Sequence, residues 1–98
     1  MTKKGYWIGN MDVRDAQVYE KYRAANAKPF ADFGARFLVR GGVQQVREGT
    51  ANPRTVVIEF PSYADAVACY ESPTYQNAKD IRMTVADGSL IIIEGYAP

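Results

Sequence analysis

The segment Leu90-Ile91-Ile92-Ile93 is apolar at every position. Alternate side chains of a strand point to opposite faces, so this run needs cover on both faces of any sheet it joins. An antiparallel sheet with helices on one side leaves its other face to water, and that face is normally polar. The same conflict recurs along the chain. Val56, Ile58 and Phe60 share one face of a segment whose other face carries Val57, and Trp7 and Met11 oppose Tyr6 and Ile8. Burying each such side chain is worth about 1.5–3 kcal/mol. The pattern predicts a sheet covered by helices on one face and by a second copy of the chain on the other, a homodimer related by a two-fold axis.

The remaining elements fall around these strands. Residues 6–12 read as the first strand, rich in aromatic and branched side chains. Asp15 stands where a helix N-cap belongs, and Val18, Tyr22, Ala25, Pro29 and Phe33 follow at helical spacing. Pro29 removes one helical hydrogen bond, which predicts a kink or restart near Lys28, and Gly34 is the natural stop. Residues 36–40 form a second strand, expected to continue past Gly41-Gly42 to Arg47 with a bulge or bend at the glycines. Residues 49–53 close a hairpin onto a third strand over residues 54–60. Ser62 and Asp65 have capping-box spacing and open a short helix to Glu71. Ser72-Pro73 restarts it, with Ser at the N-cap and Pro at the first helical position. Tyr75, Ala78, Arg82 and Val85 share one face of that second piece, Asp87-Gly88 reads as a turn, and residues 89–95 make the last strand. The order β-α-β-β-α-β predicts an α+β domain of ferredoxin-like topology spanning residues 1–98, a four-stranded antiparallel sheet with two helices on one face.

Composition removes whole classes of chemistry. The chain has no His and one Cys, Cys69. The commonest metal ligand and the commonest neutral-pH base are missing, and one Cys builds neither a zinc nor an iron–sulfur site. No metal and no cofactor are expected. A net charge of +1, with both signs interspersed, lacks the basic stripe of a nucleic-acid surface. No apolar run is long enough to span a bilayer, and no apolar core follows Lys3-Lys4 as in a signal peptide. A cytoplasmic setting is expected, in keeping with a lone thiol.

Several segments resemble one family closely: Gly5-Tyr6-Trp7-Ile8, Asp15 with Tyr19 and Tyr22, Gly34 through Gly42, Glu48-Gly49, Pro53-Arg54, Val57 through Tyr63, and Ser72-Pro73-Thr74-Tyr75 with Ala78. The most specific are Leu38-Val39-Arg40-Gly41-Gly42 and Glu59-Phe60-Pro61-Ser62. The family is the "domain of unknown function thirteen-thirty" within the dimeric α/β-barrel superfamily, and the resemblance covers nearly the whole chain. It implies a ferredoxin-like fold and a dimer whose two sheets face each other. The wider superfamily includes cofactor-independent monooxygenases, haem-degrading enzymes, lactone isomerases and stress-response proteins. Many of them use a pocket between sheet and helices. The missing His departs from the haem-degrading and His-dependent members.

Polar residues inside the apolar pattern are where a site would lie. By strand alternation Asn10, Arg40 and Glu59 share faces with Ile8, Leu38 and Val57, and Arg40 and Glu59 lie on neighbouring strands. An Arg–Glu pair there binds a carboxylate or polarises a carbonyl if open, and is a structural ion pair if closed. On the first helix Tyr22, Asn26 and Phe30 step by four along the inward stripe. A buried Asn must be hydrogen-bonded, either to the backbone near Pro29 or into a pocket. Tyr22 and Tyr75 join Asn10, Asn26, Arg40 and Glu59 as candidate ligand contacts, with Glu59 and Arg40 the only candidates for catalysis. An Arg neighbour lowers the pKa of a Glu, which counts against Glu59 as a base. Cys69 reads as core, and Arg82 reaches solvent, pairs with a carboxylate or guards a pocket mouth. Three functions follow: a small-molecule binder with its pocket between sheet and helices, a cofactor-independent monooxygenase or isomerase acting on a carbonyl or aromatic compound, and a structural dimer without ligand.

Overall fold

A computed structural model describes residues 3–98. The elements are β1 (Gly5–Val13), α1 (Ala16–Asp32), β2 (Arg36–Arg40), β3 (Arg54–Phe60), α2 (Tyr63–Glu71), α3 (Pro73–Met83) and β4 (Ala86–Glu94). The strands form one antiparallel sheet in the order β2-β3-β1-β4. This is the expected β-α-β-β-α-β order, with the second helical region split in two at Ser72-Pro73. Ser72 makes the restart: its hydroxyl donates to the Cys69 carbonyl at 2.7 Å and accepts from the Tyr75 N–H at 3.2 Å. Asp15 and Ser62 cap α1 and α2 as their positions suggest.

Several boundaries differ from the sequence reading. Helix α1 runs through Pro29 without a restart and ends at Asp32, ahead of Gly34, whose φ of 72° closes the end. Strand β2 stops at Arg40 instead of reaching Arg47. Gly41 takes a φ of 71°, turning the chain out of the sheet, and residues 41–53 form a long connection without strand pairing. Asp87-Gly88 is no turn; both residues lie within β4 and pair with Asp12 and Met11.

The connection is fastened rather than loose. Asn10 donates from its amide to the Asn52 carbonyl and to the Thr55 hydroxyl, each at 3.1 Å, and its Oδ1 accepts the Asn52 N–H at 2.8 Å. Asn52 returns the contact by donating to the Asn10 carbonyl at 3.2 Å.

The core lies between the sheet and the helices, with Trp7 at its centre. Trp7 is 1% exposed and its Nε1 donates to the Ala66 carbonyl at 2.8 Å, tying α2 to β1. Its ring meets Phe30, Phe60 and Tyr75 at centroid distances of 5.3, 5.2 and 4.8 Å, the separations at which aromatic pairs attract beyond their buried area. Cys69 sits in this core with no exposure. The opposite face of the sheet carries Tyr6, Ile8, Val57, Ile91 and Ile93 in register across β1, β3 and β4. Ile8, Ile91 and Ile93 are exposed. No described helix is long and apolar enough to cross a membrane.

Candidate functional site

Strand alternation on β1 sends Trp7, Gly9 and Met11 toward the helices. Gly9 brings no side chain, so the layer between sheet and helices is incomplete at that point. The gap is a small cavity of about 40 Å³ that opens to solvent. Its floor is Gly9 with Val56, Ile58 and Leu90 beside it, and its roof is the inward stripe of α1 (Tyr19, Tyr22, Asn26, Phe30) with Tyr75 of α3. The aromatic lining with a few convergent polar groups is that of a small-molecule site.

The sequence candidates separate into two groups. Tyr22, Asn26, Arg40 and Tyr75 line the cavity together. Asn10 and Glu59 lie on the other face of the sheet, Asn10 holding the 41–53 connection. The expected Arg40–Glu59 pair does not form. The register shifts between Phe37 and Val39, so Arg36 opposes Glu59 while Arg40 opposes Val56. One extra residue in an edge strand reverses the facing of everything after it. Arg36 takes the Glu59 carboxylate at 3.1 Å, and the Tyr6 hydroxyl donates to the same carboxylate at 3.0 Å. Arg40 turns to the helix side, its guanidinium 4.2 Å from the Phe37 ring centroid. Glu59 is therefore a structural carboxylate on the outer face, remote from the cavity in facing.

The cavity also takes in Arg82, the residue read as a possible guard of a pocket mouth, and two arginines outside the sequence candidates, Arg23 and Arg54. Arg54 shares strand parity with Val56, Ile58 and Phe60, and Arg23 lies four residues after Tyr19. Both spacings are visible in the sequence.

The hydroxyls of Tyr22 and Tyr75 meet at 2.9 Å in the buried roof. Burial raises both phenols above the ordinary value of 10.0, Tyr75 the more strongly. They stay protonated across the neutral range and act as hydrogen-bond donors, not bases. Burial likewise pushes the Cys69 thiol up to about 12, so it is no nucleophile.

These shifts have a sign that can be measured. All three groups keep their protons to higher pH when folded than when unfolded. Their contribution is fully present below the unfolded values, 9.0 for the thiol and 10.0 for the phenols, and is lost as pH rises from there toward the folded values. Each group then lowers stability by up to about 1.4 kcal/mol per pH unit. Urea midpoints are expected to hold level up to pH about 9 and to fall steeply by pH about 11; a level midpoint throughout would show that these groups ionise freely in the fold.

The fold defines an α+β protein of ferredoxin-like topology with a cavity between sheet and helices. Residues 4–96 match the family described as Domain of unknown function (DUF1330), and the chain belongs to that family. No curated protein matches the sequence. Among solved structures, a protein of unknown function from Rhodopseudomonas palustris is similar with a TM-score of 0.77 at 19% identity, covering 100% of this chain and 86% of that one. SnoaB from Streptomyces nogalater, a cofactor-independent oxygenase, gives 0.64 at 11% identity, covering 99% and 97%. A dimeric ferredoxin-like protein of unknown function from Thermobifida fusca gives 0.62 at 14%, covering 96% and 92%. At these identities the likeness concerns the fold.

Proposed function

We propose that this protein binds a small organic molecule in the cavity between its sheet and helices α1 and α3. The observation that carries the reading is the gap at Gly9 beneath an aromatic roof, in a core otherwise filled by interlocking rings. Binding is favoured over proton-abstraction chemistry, because the buried Tyr22 and Tyr75 hold their protons and Glu59 faces away. Native mass spectrometry of the protein purified from its own host tests this. A co-purifying small molecule is expected, and repeated isolation of bare protein that binds nothing from a metabolite extract would sink it.

A cofactor-independent oxygenase is the second reading. It is favoured by the aromatic lining of the cavity and by the fold shared with SnoaB. It requires oxygen consumption with the bound compound, by protein free of metal and flavin.

The working unit in this proposal is a homodimer in the cytoplasm. Exposed Ile8, Ile91 and Ile93 form one apolar strip with Tyr6 and Val57 on the sheet's outer face. Such a strip marks an interaction surface, and a second copy supplies the matching face by symmetry. The Thermobifida fusca neighbour is itself described as dimeric.

A further inference from the structure

The cavity is lined by four guanidinium groups and by no carboxylate. Arg23, Arg40, Arg54 and Arg82 all border it, while no Asp or Glu does. Arg23 reaches outward to Glu20 at 2.6 Å. Among the described residues, Arg40, Arg54 and Arg82 have no acidic partner within ion-pair distance. Arg82 is only 6% exposed, and its guanidinium meets no carboxylate: it donates to the Met11 sulphur at 3.7 Å, lies beside the Tyr75 hydroxyl and stands 5.7 Å from the Tyr22 ring centroid. The Nε atoms of Arg23 and Arg54 are buried without any hydrogen-bond partner. Buried charges and donors left in this state cost several kcal/mol and are ordinarily paired.

Two of these charges, Arg54 and Arg82, also stand at one end, while Arg40 lies over Phe37. Arg54 pairs with Met11 across β1 and β3, whereas Trp7 pairs with Ile58. Four residues of strand separate the two positions, about 13 Å. Arg82 joins the Met11 end through its sulphur contact, and Phe30 joins the Trp7 end. The cavity thus has an aromatic end and a cationic end. Between them lie Tyr22 and Tyr75, whose mutual hydrogen bond uses one hydroxyl proton and leaves the other to donate.

We propose that the ligand is an organic anion, with a carboxylate-like head held by Arg82 and Arg54 and a planar apolar body lying over Gly9 toward Trp7 and Phe30. The planar fork of a guanidinium matches a carboxylate in two parallel hydrogen bonds. The inference rests on the pocket reading above and names its ligand class.

Calorimetric titration with cinnamate and with its neutral isostere cinnamamide separates the two ideas. The acid is expected to bind at least about tenfold tighter than the amide, as a charge-assisted hydrogen-bond pair allows, and its advantage should shrink with added salt. Arg82→Met should bring the acid down to the affinity of the amide and leave the amide's own binding in place. If Arg82→Met does not fold, Arg40→Met at the exposed mouth serves, with a smaller loss confined to the acid. Equal binding of acid and amide overturns the anion class and leaves the pocket intact. Binding of neither overturns both.

Discussion

Gly9→Val is expected to abolish ligand binding without weakening the fold. A Cβ added at Gly9 meets only the Leu90 Cδ1 atom, at 3.8 Å, which is ordinary contact. The backbone there is not in the left-handed region, so a branched residue is unstrained. Valine favours a strand where glycine weakens one, a gain of up to about 1 kcal/mol. Its methyl groups would stand in the cavity floor, where an apolar body has to lie. Loss of binding by at least about tenfold is expected, since about 1.4 kcal/mol of lost contact suffices for that, together with a melting temperature equal to or above that of the parent. The pairing of the two results is what matters. A variant that binds as well as the parent would place the ligand elsewhere. A variant that unfolds would mean that the gap is needed by the packing itself.

The element order was legible because each helix announces its own ends. Asp15, Ser62 and Ser72 are small acceptors immediately before apolar stripes, and all three cap in the fold. The strands were legible from their composition, since Val56-Val57-Ile58 and Ile91-Ile92-Ile93 have few other uses. The candidate site was legible only in part, and the failure has one main cause. Alternation assigns a face to every strand residue from a single starting point, so it survives only while the pairing is regular. The register shift between Phe37 and Val39 breaks that count, and nothing in Arg36-Phe37-Leu38-Val39-Arg40 marks it. Arg40 therefore moved from the outer face to the cavity, and Arg36 took its place beside Glu59. The irregularity expected at the glycine pair falls earlier in the strand, and Gly41 ends the strand instead. The remaining omissions reflect how arginine is read. Arg54 and Arg82 sit on inward positions by simple spacing, but a charged side chain at the end of an element is ordinarily assigned to water. The burial of Arg82 and of the Arg54 Nε without acidic partners is a property of the folded cavity, made only when the strands and helices come together.

The outer face of the sheet makes the other large prediction. Ile91→Lys with Ile93→Lys should turn a dimer into a folded monomer. Both side chains point away from the helices and are 54% and 48% exposed in the single chain. They stand beside Ile8 and Tyr6 in the register of β1 and β4. In a two-fold pairing of these faces each substitution enters the interface twice, so the pair of changes introduces four ammonium groups. Burying one without a partner costs several kcal/mol, which is enough for a drop in association of well over about a thousandfold. Inside each protomer the cost is small, because these side chains contribute nothing to the core around Trp7. Sedimentation velocity across a concentration series is expected to show the parent at the dimer mass and the double variant at half of it, with unchanged circular dichroism. Ala24→Lys, on the exposed side of α1, should leave the dimer as it is. If the double variant still sediments as a dimer, pairing must use another surface, and the apolar strip along β1 and β4 would need a different partner to account for it.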